Sequence, residues 1–555
     1  MAMNTDTSDR DTADDGSGSA PSSLTRVGIR TDYVVFSVAA VAVLAIVVWG
    51  LVAPDHMNST TGSMLDWIVT NIGWLFVLAA TGFVLFSIWL AVSRFGTIPL
   101  GKDGEKPEFR TVSWIAMMFS AGMGIGLMFF GLSEPLAHFV TPPPGSEGGV
   151  SAAMATTMFH WSLHPWAMYA VVGLSIAYGS YRKGRKQLFS SAFIPLLGRR
   201  AEGPIGKIID ILAIFATLFG TAASLGLGAL QIGSGFEVVG WMSQVSTLLL
   251  VAVVAILTLA FVASAVSGVA KGIQWLSNIN MVLALVLAIF VFVLGPTVLM
   301  LNLIPTTIGA YAADLAQMSA RTGASSDPET GSWLSSWTIF YWAWWVSWTP
   351  FVGMFLARIS KGRTIRQFII GVIAVPSTVS LIWFAIFGGA GIGEQRDGID
   401  LASRGSEEAQ LFGMLDNLPL AGITTVLVMT LVAIFFVSGA DAASMVMGSL
   451  SQRGTLEPRR WVVVFWGTLT GGVAALILWT GGSEALDGLQ TMTIIAAAPF
   501  VFVMIGLCVA LYKDLSRDPL MLDARAMRRE LRRMAAKQRR EKSRETNRER
   551  TPAPR

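Results

Sequence analysis

The sequence predicts an all-α polytopic membrane protein with twelve transmembrane helices, and three observations support this prediction. Hydrophobic residues make up 53% of the 555 residues and charged residues only 14%, whereas a soluble domain has about a quarter of its residues charged. Apolar runs long enough to cross about 30 Å of hydrocarbon recur along the chain. Basic residues are concentrated in alternate loops, as the positive-inside rule requires.

The apolar runs locate the spans. In chain order we expect them at 33–52, 70–92, 112–131, 153–178, 208–233, 245–265, 273–294, 337–357, 367–387, 423–447, 461–479 and 490–512. The loops assigned to the cytoplasmic side carry nineteen Lys and Arg residues, and the loops on the other side carry three. Because an even number of spans returns the chain to its starting side, both termini are expected in the cytoplasm and the protein in the cell (inner) membrane.

The segments outside the spans differ in character. Residues 1–30 are acidic and lack the apolar region of a cleavable signal peptide, so the first span is expected to act as the insertion signal. The segment 296–336 has an apolar stretch interrupted by Pro305, which indicates an interfacial helix, and the Gly-rich segment 388–422 indicates a solvated loop. Residues 513–555 carry 15 basic and 7 acidic side chains. Their apolar spacing predicts an amphipathic helix that binds anionic lipid; the alternative is a disordered tail whose charge fixes topology.

Span 3 contains glycines at alternate positions, Gly122, Gly124 and Gly126. Each glycine costs up to about 1 kcal/mol relative to alanine in a helix, and exposed backbone at membrane depth is tolerated only where it lines a cavity or is buried in protein. This pattern predicts a broken helix that holds a solute near the membrane midplane. Close helix packing by small residues is the alternative.

Span 8 contains Pro350, which removes one helical hydrogen bond and favours a kink. Spans 3 and 8 are an odd number of spans apart, so a repeat that relates them must be inverted across the membrane. Two disrupted helices at matching places in inverted halves indicate a transport site.

Aromatic residues cluster in spans 4 and 8, and the rings are Trp161, Trp166, Tyr169, Trp344, Trp345 and Trp348. Interfacial belts account for other tryptophans, such as Trp49, Trp67 and Trp74. The spans contain no Lys or Arg, so a charged solute must be bound in another way. An aromatic cage binds a cation whose charge is covered by methyl groups, at about 0.5–2 kcal/mol per ring. Plain packing of the rings is the alternative.

Catalytic and metal-binding patterns are weak. No nucleophile–base constellation is present, so an enzyme is not expected. His160 and His164 are four residues apart and suit a metal ion by spacing. No further ligand matches them, so we predict neither a cofactor nor a metal site of this kind.

Two segments carry a family resemblance, Met117–Phe129 in span 3 and Trp337–Trp345 in span 8. They resemble the signatures of the betaine–choline–carnitine transporters, and the similarity covers roughly residues 30–515. Sodium-coupled, osmoregulated glycine betaine symporters are the most similar members. The resemblance implies a LeuT-type five-plus-five inverted repeat preceded by two extra helices, and a homotrimer. The implied division is 1–30 (N-terminal tail), 31–110 (two additional helices), 111–295 (first repeat), 296–336 (outer segment), 337–512 (second repeat) and 513–555 (C-terminal tail).

The resemblance also implies a substrate site. The cage is Trp161, Trp166, Tyr169 and Trp345, and Trp344, Trp348 and Phe355 flank the pathway. The backbone of Gly122, Met123, Gly124 and Gly126 faces the substrate carboxylate, in agreement with the affinity of free N–H groups for anions. Choline carriers of the family tend to have Asp at the position of Gly126, so its absence favours betaine.

The resemblance further implies sodium as the coupling ion. One ion uses Thr217, Thr221, Ser347 and Phe351; the second uses carbonyls of Ser120 and Met123 with Phe435, Ser438 and the next position. That position is Gly439 here, which removes an oxygen ligand and leaves the stoichiometry open. Hydroxyl groups that bond back to helix carbonyls are the alternative for the Thr and Ser residues.

These predictions together describe osmoregulated, sodium-coupled uptake of glycine betaine. The alternatives are a carrier for ectoine, proline or choline, a substrate exchanger, and a non-transporting betaine receptor. No nucleic-acid partner is expected.

Overall fold

The computed structural model describes residues 31–122, 124–267, 270–324, 329–404, 406–522 and 534–535. Within these ranges only the backbone is described at 119–122, 267, 270–277 and 483. In the described residues the regular structure is helical, apart from one isolated β-bridge between Pro99 and Thr364.

Nineteen α-helices lie in the described ranges. In chain order they are α1 (Tyr33–Val52), α2 (Pro54–Val92), α3 (Thr111–Gly122), α4 (Ile125–Val140), α5 (Gly149–Trp161), α6 (Leu163–Ala177), α7 (Phe189–Ala192), α8 (Ile194–Leu197), α9 (Pro204–Val238), α10 (Thr247–Ser267), α11 (Ala270–Leu294), α12 (Thr297–Ser319), α13 (Thr330–Leu334), α14 (Phe340–Ile359), α15 (Ile365–Arg396), α16 (Glu407–Asp416), α17 (Ala421–Ser451), α18 (Arg460–Gly481) and α19 (Ala485–Leu515).

Length and composition identify candidate membrane-crossing helices. Among the described residues, nine helices are long and apolar enough to cross a membrane: α1, α2, α9, α10, α12, α15, α17, α18 and α19. Large apolar side chains are exposed on the outer helices, as for Val41 (64%) on α1 and Leu259 (67%) on α10. A surface of this kind needs a lipid environment, so the chain is a multi-pass membrane protein.

Predicted spans 3 and 4 are each two helices. The break in span 3 lies between Gly122 and Ile125, where the alternating glycines predict it. The break in span 4 has no such signal in the sequence: α5 ends at Trp161, and Ser162 adopts φ −118° and ψ −107° before α6 begins. Both interruptions lie beside the aromatic cluster.

Helix α14 runs through Pro350 without a break, so span 8 is not divided into two helices as spans 3 and 4 are. Proline leaves the carbonyl of Val346 without its helical donor, and the hydroxyl of Thr349 donates to that oxygen over 2.7 Å. A π-helical turn, Ser335–Ile339, precedes α14 instead.

Helices are present in both long interspan segments. The expected helix in 296–336 is present as α12, which continues through Pro305 and packs on α5 and α15. The prediction of a solvated loop at 388–422 is wrong. Helix α15 extends to Arg396, and α16 buries an apolar face against α4, α9 and α17.

The last turn of α19 and the chain that follows it are bonded to the segment after α6. Asp518 accepts hydrogen bonds from Tyr178 Oη (2.7 Å) and from Arg182 Nε and Nη2 (3.0 Å each). Arg185 pairs with Asp514 at 2.6 Å. Beyond residue 522 the described chain contains only residues 534–535, so the predicted basic helix lies almost wholly outside the described residues.

The centre of the bundle is α14, which packs against α6, α9 and α19. Its rings Tyr341, Trp342 and Trp344 are at most 1% exposed. The aromatic residues of span 8 therefore face protein, unlike the belt residues Trp67 and Trp74, which are more than half exposed.

Candidate functional site

A cavity lies between α4, α5, α6, α14 and α15. Its lining includes the six predicted aromatic residues and two of the predicted glycines: Trp161, Trp166, Tyr169, Trp344, Trp345, Trp348, Gly124 and Gly126. Leu127, Pro165 and Ser380 also line it, and the sequence patterns did not indicate them. Met123 lies outside the described residues, and Gly122 ends α3.

Hydrogen bonds hold the indole N–H groups of α14 against the protein. Trp344 Nε1 donates to Ser224 Oγ (3.0 Å), Trp345 Nε1 to the carbonyl of His160 (2.9 Å), and Trp348 Nε1 to the carbonyl of Gly220 (3.0 Å). Because each N–H is engaged, these rings have only their π surfaces left to offer a solute.

The rings form walls at right angles to one another. Trp344 and Trp345 are stacked, with centroids 5.0 Å apart and 14° between their planes. Trp161 meets Trp345 edge to face at 4.9 Å and 76°. Trp166 meets Tyr169 in the same way at 5.2 Å and 75°. All five rings are at most 7% exposed, so a cation among them would be shielded from water.

The break in span 3 opens a helix N-terminus at the cavity. Gly124 has an extended backbone (φ −165°, ψ −176°) and provides no side-chain cap for α4. The first N–H groups of a helix have no partner within the helix, and such groups bind anions. An added Cβ at Gly124 would meet no atom within 4 Å.

Gly126 has a different role. A Cβ at this position would lie 2.5 Å from Trp344 Cη2 and 2.9 Å from Trp161 Cη2. The absence of a side chain therefore lets α4 approach both rings.

A second cavity shares the lining residues Gly124 and Trp348 with the first. It brings together four of the residues predicted to bind sodium, Thr221, Phe351, Phe435 and Ser438, and it is also lined by Phe355 and Gly439. The two cavities are thus adjacent, and these predicted ion residues lie next to the predicted solute residues.

The other predicted sodium residues are placed differently. Thr217 and Ser347 are buried and line neither cavity. The hydroxyl of Thr217 donates to Ala213 O (2.7 Å), that of Ser347 to Trp344 O (2.6 Å), and that of Ser438 to Phe435 O (3.3 Å). These are the helix-internal bonds of the alternative interpretation. The Ser120 side chain is not described.

A buried carboxylate supports the cage and was missed by sequence reasoning. Glu134 Oε2 accepts hydrogen bonds from Trp161 Nε1 (2.6 Å) and Tyr341 Oη (2.5 Å). Its Oε1 lies 2.7 Å from His160 Nδ1. The predicted span 3 ends at residue 131, which places Glu134 in a loop. The apolar run continues to Val140, and a single acid within it was the available signal.

His160 and His164, four residues apart in the sequence, have different partners in the structure. The ring of His164 stacks on Trp342 at 5.0 Å, and its Nε2 lies 3.4 Å from Thr81 Oγ1. His160 is grouped with Glu134 and His138 instead.

A solute cavity beside a broken helix in a multi-pass membrane protein is the arrangement of a secondary transporter. The family model described as BCCT, betaine/carnitine/choline family transporter, matches residues 34–520, and the chain belongs to this family. It is therefore a transporter and not an enzyme.

Relatives in bacteria agree with this family. The betaine/ectoine transporter LcoP of Corynebacterium glutamicum is 46% identical over 500 residues, which cover 89% of this chain and 79% of the relative. The glycine betaine transporter OpuD of Bacillus subtilis is 44% identical, covering 88% and 94%. Glycine betaine transporter 1 of Vibrio parahaemolyticus is 41% identical, covering 87% and 94%.

Proposed function

We propose that this protein takes up glycine betaine by secondary active transport coupled to sodium. The observation that carries the proposal is the cavity in which tryptophan faces and the N-terminus of α4 meet. The names of the relatives from B. subtilis and V. parahaemolyticus support the substrate.

Glycine betaine has a cationic end covered by methyl groups and an anionic carboxylate. The rings around Trp161 and Trp345 suit the trimethylammonium group, and the free N–H groups near Gly124 suit the carboxylate. The tight contact of Gly126 with Trp161 and Trp344 leaves no room there for the acidic side chain expected of choline carriers. A zwitterion is therefore favoured over choline.

Sodium coupling is proposed from the second cavity. Thr221 and Ser438 offer hydroxyl oxygens there, next to the cage residue Trp348. In the proposed ion site Thr217 and Ser347 would have to turn their hydroxyls from helix carbonyls toward the ion. Each sodium ion adds about 2.3 kcal/mol of driving force per 100 mV of membrane potential.

The proposed architecture has twelve spans, with α12 as the interfacial helix, and an inverted repeat of 111–295 and 337–512. Helix contacts support the repeat. Span 3 corresponds to span 8 and span 4 to span 9, and α4 packs on α15 as α14 packs on α6. Span 5 corresponds to span 10, and α9 packs on α14 as α17 packs on α4.

We further propose that both termini lie in the cytoplasm of a cell (inner) membrane protein that assembles as a homotrimer. The acidic tail 1–30 and the basic tail 513–555 would make uptake respond to osmotic strength, because binding of a basic helix to anionic lipid weakens with salt. Removal of residues 523–555 is expected to abolish the response to osmolality and leave basal uptake intact. Uptake that stays equally responsive would contradict a sensor role for the tail.

Uptake of radiolabelled glycine betaine into proteoliposomes tests the main proposal. Accumulation is expected with an inward sodium gradient, with none when potassium replaces sodium. Ectoine is the second candidate, because the relative from C. glutamicum is a betaine/ectoine transporter. The inhibition of this uptake by excess unlabelled ectoine, proline or choline ranks these solutes as competing substrates. Sodium-independent counterflow would indicate an exchanger, and binding without accumulation would indicate a receptor.

A further inference from the structure

Glu134 is shared between the cage and a pair of histidines. Its Oε2 is occupied by Trp161 and Tyr341, while its Oε1 faces His160 Nδ1 at 2.7 Å and His138 Nε2 at 3.5 Å. All three titratable side chains are at most 1% exposed. One carboxylate oxygen therefore remains directed at two imidazole nitrogens in a site closed to solvent.

His138 provides an independent observation. It lies one helical turn after Glu134 on α4, and its Nε2 is buried without a hydrogen-bond partner among the described residues. A buried polar atom left unpaired costs about 1–3 kcal/mol. Such atoms are uncommon in native structures, and a bound ion is one way in which they are satisfied.

We propose that Glu134, His138 and His160 bind a zinc ion or a similar borderline divalent metal ion. Carboxylate oxygen and imidazole nitrogen are zinc ligands, and bonds of about 2.0–2.1 Å in a tetrahedral site place ligand atoms about 3.4 Å apart. The 3.5 Å separation between His138 and Glu134 already fits. The His160–Glu134 separation of 2.7 Å must widen by about 0.7 Å as the metal replaces the hydrogen bond.

Outer contacts suited to a metal site are already in place. Zinc-binding histidines normally engage their second ring nitrogen, and ligating carboxylates are themselves hydrogen-bonded. His160 Nε2 lies 3.0 Å from Thr338 Oγ1, and the second oxygen of Glu134 holds Trp161 and Tyr341. The three protein ligands leave a fourth position for water, as in open zinc sites.

The surroundings limit the affinity. Trp333 and Trp337 cover His138, with ring centroids 5.7 Å and 4.6 Å away. The guanidinium of Arg321 lies 4.9 Å above Trp333, and its positive charge opposes a second cation nearby. We expect a reversible site that is weaker than a closed structural zinc site.

A metal ion bound at this site acts on the cage through Glu134. The metal draws charge from the carboxylate whose other oxygen orients Trp161, so it alters the position or the hydrogen bond of a cage ring. This consequence rests on the proposed function, whereas metal binding itself does not.

The test uses the full chain purified with a tag that contains no histidine and treated with a chelator. Equilibrium dialysis against zinc is followed by measurement of the metal bound per chain. We expect about one zinc ion per wild-type chain. His138→Gln is expected to lower the affinity about tenfold or more. This variant removes an atom that makes no hydrogen bond, so it should fold.

The chain has four histidines, and the other two supply matched controls. His56 is exposed, and His164 is buried outside the group. His56→Gln and His164→Gln should bind zinc like the wild type. Absence of zinc binding in the wild type, or unchanged binding in His138→Gln, would overturn the site.

Transport measurements test whether zinc binding acts on the cage. Zinc is expected to change the apparent affinity for glycine betaine several-fold in the wild type and not in His138→Gln. If zinc binds but the betaine affinity is unchanged, the site remains and its action on the cage is refuted. If betaine is not a substrate, the proposed function fails, and the dialysis result still decides the metal site.

Discussion

Thr349 Oγ1 lies 2.7 Å from the carbonyl oxygen of Val346, the acceptor that Pro350 leaves without a backbone N–H. A free carbonyl at membrane depth is costly, and neighbouring hydroxyls commonly satisfy it. This bond explains how α14 remains a single helix and carries Trp344, Trp345 and Trp348 to one cavity.

Thr349→Val removes this donor and keeps the side-chain shape. We expect a loss of about 1–3 kcal/mol, the cost of an unsatisfied buried acceptor, measured as a lower melting temperature in detergent. Thr378→Val is the control, because Thr378 is exposed and its acceptor, Ala374 O, keeps its helical N–H. Equal decreases of the melting temperature in the two variants would show that the bond to Val346 stabilises the protein no more than an ordinary helix-internal bond.

Removal of one ring from the cage is expected to weaken the binding of glycine betaine by a limited amount. Trp345→Leu should weaken glycine betaine binding by about 0.5–2 kcal/mol, the contribution of one ring to a cation–π interaction. Titration of binding in detergent measures it. Trp67→Leu is the control, since Trp67 is 59% exposed on the outer surface. Wild-type affinity in Trp345→Leu would remove the basis of the proposed substrate site.

Alanine substitutions at two glycines of the broken span are expected to reduce uptake to different extents. Gly126→Ala places a methyl group 2.5 Å from Trp344 Cη2 and 2.9 Å from Trp161 Cη2, so it should displace the rings. Overpacking of this kind costs about 1–3 kcal/mol, and uptake should fall sharply. Gly124→Ala meets no protein atom within 4 Å, so it should reduce uptake less than Gly126→Ala, and only through the methyl group that it adds to the cavity lining. The reverse order would show that ring contact at Gly126 does not limit transport.

A serine in place of Gly439 is expected to strengthen the dependence of uptake on sodium. It lines the second cavity beside Ser438, and a Cβ there meets nothing within 4 Å, so Gly439→Ser adds a hydroxyl without a clash. We expect a lower half-maximal sodium concentration for uptake in proteoliposomes, because an oxygen ligand is added. Gly439→Ala fills the same space without the oxygen and is the control. An equal decrease of the half-maximal sodium concentration in Gly439→Ala would show that side-chain volume, and not the added oxygen, causes the effect.

The contact after α19 predicts a defined pH dependence. Burial raises the pKa of Asp518, but hydrogen bonds from Arg182 and Tyr178 outweigh it and lower the pKa below the ordinary value of 3.8. A lowered pKa stabilises the fold above pH 3.8, and the contribution is lost only as the pH falls through the folded-state pKa. Asp518→Asn should therefore lower the melting temperature equally at about pH 5 and about pH 8.

The magnitude expected for Asp518→Asn is about 1.5–3 kcal/mol, the range for hydrogen bonds to charged groups. Lys361→Gln breaks the more exposed pair with Glu105 and should change stability much less than Asp518→Asn, because solvent screens exposed ion pairs. A shift for Asp518→Asn that vanishes at neutral pH would contradict the assignment.

Sequence patterns were reliable where the membrane or the backbone imposes a local rule. Hydrophobic length marked the helices, because lipid requires continuous apolar segments. The alternating glycines marked the break between Gly122 and Ile125, because glycine lacks helix propensity. The aromatic positions in spans 4 and 8 followed from a resemblance as well as from composition.

Only the tertiary structure decided which side chains meet. The hydroxyl that completes α14 at Pro350, the break at Ser162 and the burial of α16 depend on neighbouring helices. Glu134 and His138 belong to α4 but meet His160 of α5, and no local spacing encodes a contact between helices that pack in the folded bundle. The sequence by itself determined the membrane helices and the aromatic content of the site, since these follow from short-range rules. Packing determined how the rings are oriented and what holds them, because those depend on partners distant along the chain.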